Sequence, residues 1–197
     1  MVIVPESPTS TAHPLDSLSA AEIAEAVAIV RRERTLGPRT RFVTVALREP
    51  TRHELRLYRQ GVALERLAEV VLLDNDTGTT SEAIVSLSRG SITRWRDVAG
   101  VQPAVMLDEF YECELMVKQD PAWQAAVRKR GVTDFDLCMV DPWSNGHYGS
   151  AEDGQRRLVR ALTWVRTSPL DNGYARPIEN VITVVDLNAM KVVRVED

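Results

Sequence analysis

The chain has 197 residues, 44% of them apolar and 26% charged, a composition that excludes wholesale disorder, collagen and coiled coil and suits one large domain or two smaller ones. Its 24 basic and 28 acidic residues leave a net charge of -4, so there is no global positive field to hold phosphate backbones, and nucleic acid is not an expected partner. No apolar run long enough to span a membrane occurs, and Met1 to Pro14 lacks the basic start and apolar centre of a secretory signal.

Residues 1–12 contain Pro5, Pro8 and a Ser/Thr run and are expected to form an irregular arm. Ser19 followed by Glu22 is a capping box, so a helix is predicted from here to the Gly37-Pro38 break. Leu18 and Ile23 have the spacing of a hydrophobic staple, and Ile23, Val27 and Val30 suggest the buried stripe. Arg31, Arg32 and Arg34 fall in the last turns, where the helix dipole favours cations, and read as a solvated end with an anion site as the alternative. The period then changes to two. Phe42 to Leu47, His53 to Tyr58, and Arg66 to Leu73 are predicted strands, the last with Ala68, Val70 and Leu72 on one face. Asp74 to Gly78 turns the chain into a strand over Thr80 to Ser88, and Arg89-Gly90 turns it again into Ser91 to Val98. A calcium loop at Asp74 fails because Gly78 occupies the fifth ligand position.

The pattern restarts after Gly100. Pro103 is expected to open a helix carrying Met106, Leu107, Phe110, Tyr111 and Met116, and Asp120-Pro121 caps a second helix that stops at Gly131. Phe135 to Val140, Arg157 to Arg166, Val181 to Leu187 and Met190 to Val195 are predicted strands, although Arg157 to Arg166 also suits a helix. Helix followed by antiparallel strands, twice, predicts an α+β protein of two domains, 13–99 and 100–197, each with a helix against an antiparallel sheet.

Little of the chemistry is fixed by motif. Cys113 and Cys138 have no metal spacing and read as buried thiols of a reducing, cytoplasmic compartment. His13, His53 and His147 show neither His-x-His nor His-Glu-x-x-His spacing, and no phosphate loop, dinucleotide fingerprint or nucleophile elbow is present. The segment Asp141-Pro-Trp-Ser-Asn-Gly-His-Tyr-Gly149 places two large aromatics and a histidine among loop formers, and loops present function. An enzymatic site around His147 and Asp141 is one reading of it, and a loop packed down by its own aromatics is another.

Three segments carry a family resemblance: His13-Pro-Leu-Asp-Ser-Leu-Ser-Ala-Ala-Glu-Ile23, Leu72-Leu-Asp-Asn-Asp-Thr-Gly-Thr-Thr80, and Arg128-Lys-Arg-Gly-Val-Thr-Asp-Phe-Asp136 leading to Asp141-Pro-Trp143 and Tyr148-Gly149. In order and spacing they resemble the second and third small N-terminal domains of copper-containing primary amine oxidases of the tyramine or phenylethylamine oxidase kind, over nearly the whole chain. The resemblance implies two cystatin-like α+β domains that pack on a large catalytic domain holding copper and a topaquinone made from a tyrosine, in a homodimer. It also implies a substrate-channel wall, at positions corresponding to Phe110, Trp143 and Tyr174. The family's cofactor tyrosine follows an asparagine, whereas Tyr58, Tyr111, Tyr148 and Tyr174 follow Leu57, Phe110, His147 and Gly173. The copper-binding His-x-His pair is absent as well. The expectation is therefore a module without catalytic residues, metal or cofactor of its own, whose partner is an amine oxidase catalytic domain. The rival expectation is a free-standing binding protein on the same scaffold.

Overall fold

In the computed structural model, which describes residues 13–146, 149 and 156–197, the first helix, α1 (Ala20–Glu33), begins at its capping box. The Glu22 carboxylate takes the Ser19 amide at 2.8 Å and the Ser19 hydroxyl takes the Glu22 amide at 3.3 Å. The buried stripe is Ala26, Ile29 and Val30, while Ile23 is exposed, so the helix is rotated from the expected face. The choice is made by the sheet beneath: α1 packs on Ala68, Val70, Leu72, Ala83 and Val85. The arginines at its end are exposed, as a solvated helix end requires, and they also lean on their neighbours. Arg31 and Arg34 lie over the rings of Phe42 and Trp95, at 5.7 and 4.7 Å, and Arg32 donates to the Gly90 carbonyl at 2.6 Å.

That sheet has the order β1 (Thr40–Leu47), β2 (Leu67–Asp74), β3 (Thr79–Ser86), β4 (Ser91–Val98) and is antiparallel. The turn between β2 and β3 closes by an Asp74 side chain accepting the Asp76 amide at 2.9 Å, with Gly78 at φ +70°. The strand expected over His53 to Tyr58 is instead helix α2 (Arg52–Arg59). Its cause is a second capping box: the Thr51 amide donates to Glu54 at 2.6 Å and the Glu54 amide to the Thr51 hydroxyl at 3.2 Å. A short run with two leucines fits either period, and the cap decides.

In the second half, α3 (Leu107–Gln119) and α4 (Pro121–Lys129) cover one face of an antiparallel sheet ordered β5 (Cys138–Ser144), β6 (Leu158–Val165), β7 (Pro177–Asp186), β8 (Lys191–Glu196). Cys113, Val117, Trp123 and Val127 from the helices meet Cys138, Val140, Val159, Ala161, Val181 and Val185 from the strands. Helix α3 begins at Leu107 rather than Pro103, because the Pro103 and Ala104 carbonyls are taken by the Arg157 guanidinium, each at 2.7 Å. Phe135–Leu137 is a 3-10 turn capped by Asp134, not strand. β5 starts after it and runs through Asp141, Pro142 and Trp143, which the sequence placed in a loop. Proline is accommodated there because β5 is an edge strand, where one side of the ladder needs no amide.

By contacts the chain divides into two units: the described residues up to Leu72 with Ser81–Asp97, and Leu73–Thr80 with Val98–Asp197. No helix among the described residues is long and apolar enough to cross a membrane. The arm at 1–12 and the pair His147 and Tyr148 lie outside the described residues.

Candidate functional site

Strand alternation sorts β5 into two faces. Cys138, Val140 and Pro142 are buried toward the helices, while Met139, Asp141 and Trp143 point the other way. Met139 pairs with Trp164 and Trp143 with Arg160 on β6, so these side chains share the face that α3 and α4 do not cover.

The loop between β6 and β7 is folded by its own polar groups. Asp171 accepts from the Thr167 amide at 3.0 Å and hydroxyl at 2.8 Å and pairs with Arg176. The Thr167 amide first, then Arg176, hold the Asp171 carboxyl well below the usual carboxylate range. Asn172 then accepts the Tyr174 amide at 3.0 Å, which sends the tyrosine ring toward β5. Gly173 allows this approach, because a Cβ there would sit 2.7 Å from the Met139 sulfur.

Asp141 is the point of convergence. Its Oδ2 accepts from Trp143 Nε1 at 2.9 Å and from the Tyr174 hydroxyl at 3.1 Å. Trp164 meets the Tyr174 ring edge-on at 5.2 Å. The carboxylate pushes the Tyr174 hydroxyl's pKa up, so the phenol remains a donor through neutral pH. Trp143 and Tyr174 are each 57% exposed, so the two loop-or-strand aromatics chosen from sequence stand together and open to solvent. Phe110 does not join them. It is half-buried on α3, which covers the opposite face of the sheet, and among the described residues it makes no ring contact with either. Trp164 and the place of Asp141 as shared acceptor were not legible from sequence, since only strand register brings Trp164 beside Met139 and only the fold brings Tyr174 to Asp141.

Among the described residues of this face, no group is arranged for metal or nucleophilic chemistry. Among the described residues no three His, Cys, Asp or Glu side chains converge on a metal position, and His13 packs edge-on against Tyr58 at 5.5 Å. Burial pushes the Cys113 thiol up to about 12 and Cys138 to about 11, which suppresses the thiolate a nucleophile requires.

Comparison with known proteins gives two family matches: an AGAO-like N2 domain over residues 19–95 and a copper amine oxidase N3 domain over residues 108–197. A primary amine oxidase of Arthrobacter sp. (strain P1) is 47% identical over 98% of the chain and 29% of its own length. A copper-containing diamine oxidase of Nicotiana tabacum, described as peroxisomal, is 35% identical over 95% of the chain and 29% of its length. The crystal structure of a copper-containing benzylamine oxidase from Hansenula polymorpha superposes with a TM-score of 0.75 at 22% identity over 94% of the chain, which shows a shared fold. The chain spans less than a third of the length of these relatives.

Proposed function

The chain belongs to the copper amine oxidase family as an N2 and N3 domain pair, and on that premise we propose that it is a non-catalytic module that packs on an amine oxidase catalytic domain and forms part of the wall by which amines enter. The reaction it serves is oxidation of a primary amine to an aldehyde with release of ammonia and hydrogen peroxide. Copper and topaquinone supply that chemistry in the catalytic domain. These 197 residues contain no Asn-Tyr pair and no His-x-His pair and contribute walls rather than reacting groups. The domains are taken as 13–99 and 100–197, and the working oxidase as a homodimer.

The observation that carries the reading is the paired exposure of Trp143 and Tyr174 around Asp141. A ring at the rim of an entry path gains from apolar amine tails and can hold a passing cation over its face. Phe110 enters the proposal separately, as a half-buried ring of the helix layer that a covering domain can reach.

The first test uses the purified chain supplied with copper, oxygen and primary amines. No quinone absorbance and no amine-dependent peroxide are expected. Peroxide that depends on added amine and persists through controls for free copper contradicts the module reading.

A further inference from the structure

Aromatic rings on an open apolar sheet face ordinarily lie flat on it to shed water. Trp143 and Tyr174 instead stand at 57% exposure, with their polar edges turned inward onto one oxygen of Asp141. Trp164, edge-on to Tyr174, completes a frame of three rings beside a carboxylate. Both donors use Oδ2, and Oδ1 receives no hydrogen bond from any described residue. A negative charge and neighbouring ring faces favour the same kind of ligand, a cation bearing N–H groups.

We propose that Asp141, framed by Trp143, Tyr174 and Trp164, is a binding subsite for the ammonium group of an amine on its way in. The inference rests on the entry-wall reading and names what that wall recognises. An ammonium donates to Oδ1 while its alkyl or aryl tail lies along the rings. An anion is refused by Asp141 itself. The nearest guanidinium on this face by strand register, Arg160, is turned to Asn145, with Nε 2.8 Å from the side-chain oxygen. Arg166 lies beneath the loop, its Nη2 3.1 Å from where a Cβ on Gly173 would stand. These two positive charges oppose tight cation binding. The subsite therefore holds its ligand in the millimolar range and releases it quickly, as a transit station must.

The test titrates the whole chain with 2-phenylethylammonium, 2-phenylethanol and 3-phenylpropionate while following the Trp143 indole N–H resonance, assigned by its loss in Trp143→Phe. The expected result is a saturable shift with the ammonium, about tenfold weaker response to the alcohol, and none to the carboxylate. Asp141→Asn keeps an acceptor oxygen for both rings and should bring the ammonium down to the level of the alcohol. Should that variant disturb the loop, Tyr174→Phe keeps ring and carboxylate and must retain ammonium binding. Equal response to ammonium and alcohol, no saturation at tens of millimolar, undiminished binding in Asp141→Asn, or lost binding in Tyr174→Phe each overturns the subsite. The titration needs no turnover, so its failure leaves the oxidase assays standing, and their failure leaves a measured cation site untouched.

Discussion

Glu109 and Arg157 carry opposite charges into the core of the second unit, where their side chains are 1% and 2% exposed. Arg157 donates to both carboxylate oxygens at 2.8 Å, and its remaining donors fix the backbone at Pro103 and Ala104. Removing one charge strands the other, so Glu109→Gln should cost about 3 kcal/mol in urea unfolding, and a loss well under 1 kcal/mol contradicts the pairing. Sequence spacing could not reveal this pair, since capping rules reach three or four residues and these two are 48 apart. The Ser19 and Glu22 pair, by contrast, was fully legible, but its third member was not: Arg66 donates to Glu22 at 2.7 Å. That bond first, with the Ser19 amide and hydroxyl assisting against desolvation, lowers the Glu22 carboxyl from 4.5 to about 2. A depressed carboxyl stabilises the fold above its unfolded pKa and loses that contribution as pH falls toward the folded one. Between pH 4.5 and 2 the native chain should therefore lose stability more steeply than Glu22→Gln, and parallel curves contradict the assignment. The two thiols, both fully buried with raised pKa values, should resist iodoacetamide at about pH 8 and react, both of them, only in denaturant.

At the scale of elements, periodicity served well where one face is buried and poorly where none is. β2 and β6 emerged within a residue of their observed ends because a core enforces their alternation; β4, which has no buried residue, was marked instead by the turn at Arg89-Gly90. α2 has no buried residue, so its two leucines carried no phase information, and the cap at Thr51 was the informative signal. Thr51→Ala should then cost about 1 kcal/mol and loosen residues 52–59 in hydrogen exchange, and unchanged protection would show that tertiary contacts hold the helix instead. β5 was misread at its end for a different reason. Asp-Pro-Trp-Ser looks like a loop to any local rule, and only its place on a sheet edge lets it remain strand. That extension matters for function, since it sets Trp143 in register with Arg160 and turns it to the same side as Asp141 and Trp164.

For the molecule as a whole, the order of elements twice over led to an α+β reading, and the likeness of motifs led to the family; both are borne out. The meeting of Trp143 with Tyr174 was expected only as two positions on one wall, and the shared carboxylate joining them came from the fold. The central claim is that this pair helps select amines for a catalytic domain that the chain itself does not provide. It is tested most directly by the ratio of kcat/KM for 2-phenylethylamine to that for methylamine, measured in an assembled amine oxidase carrying these domains, with and without Trp143→Ala and Tyr174→Ala together. Loss of two apolar faces worth about 1 kcal/mol each should lower the ratio roughly tenfold or more, chiefly through the aromatic substrate. A ratio unchanged in a variant that folds and turns over methylamine normally would show that the rings are structural and that amines do not pass them.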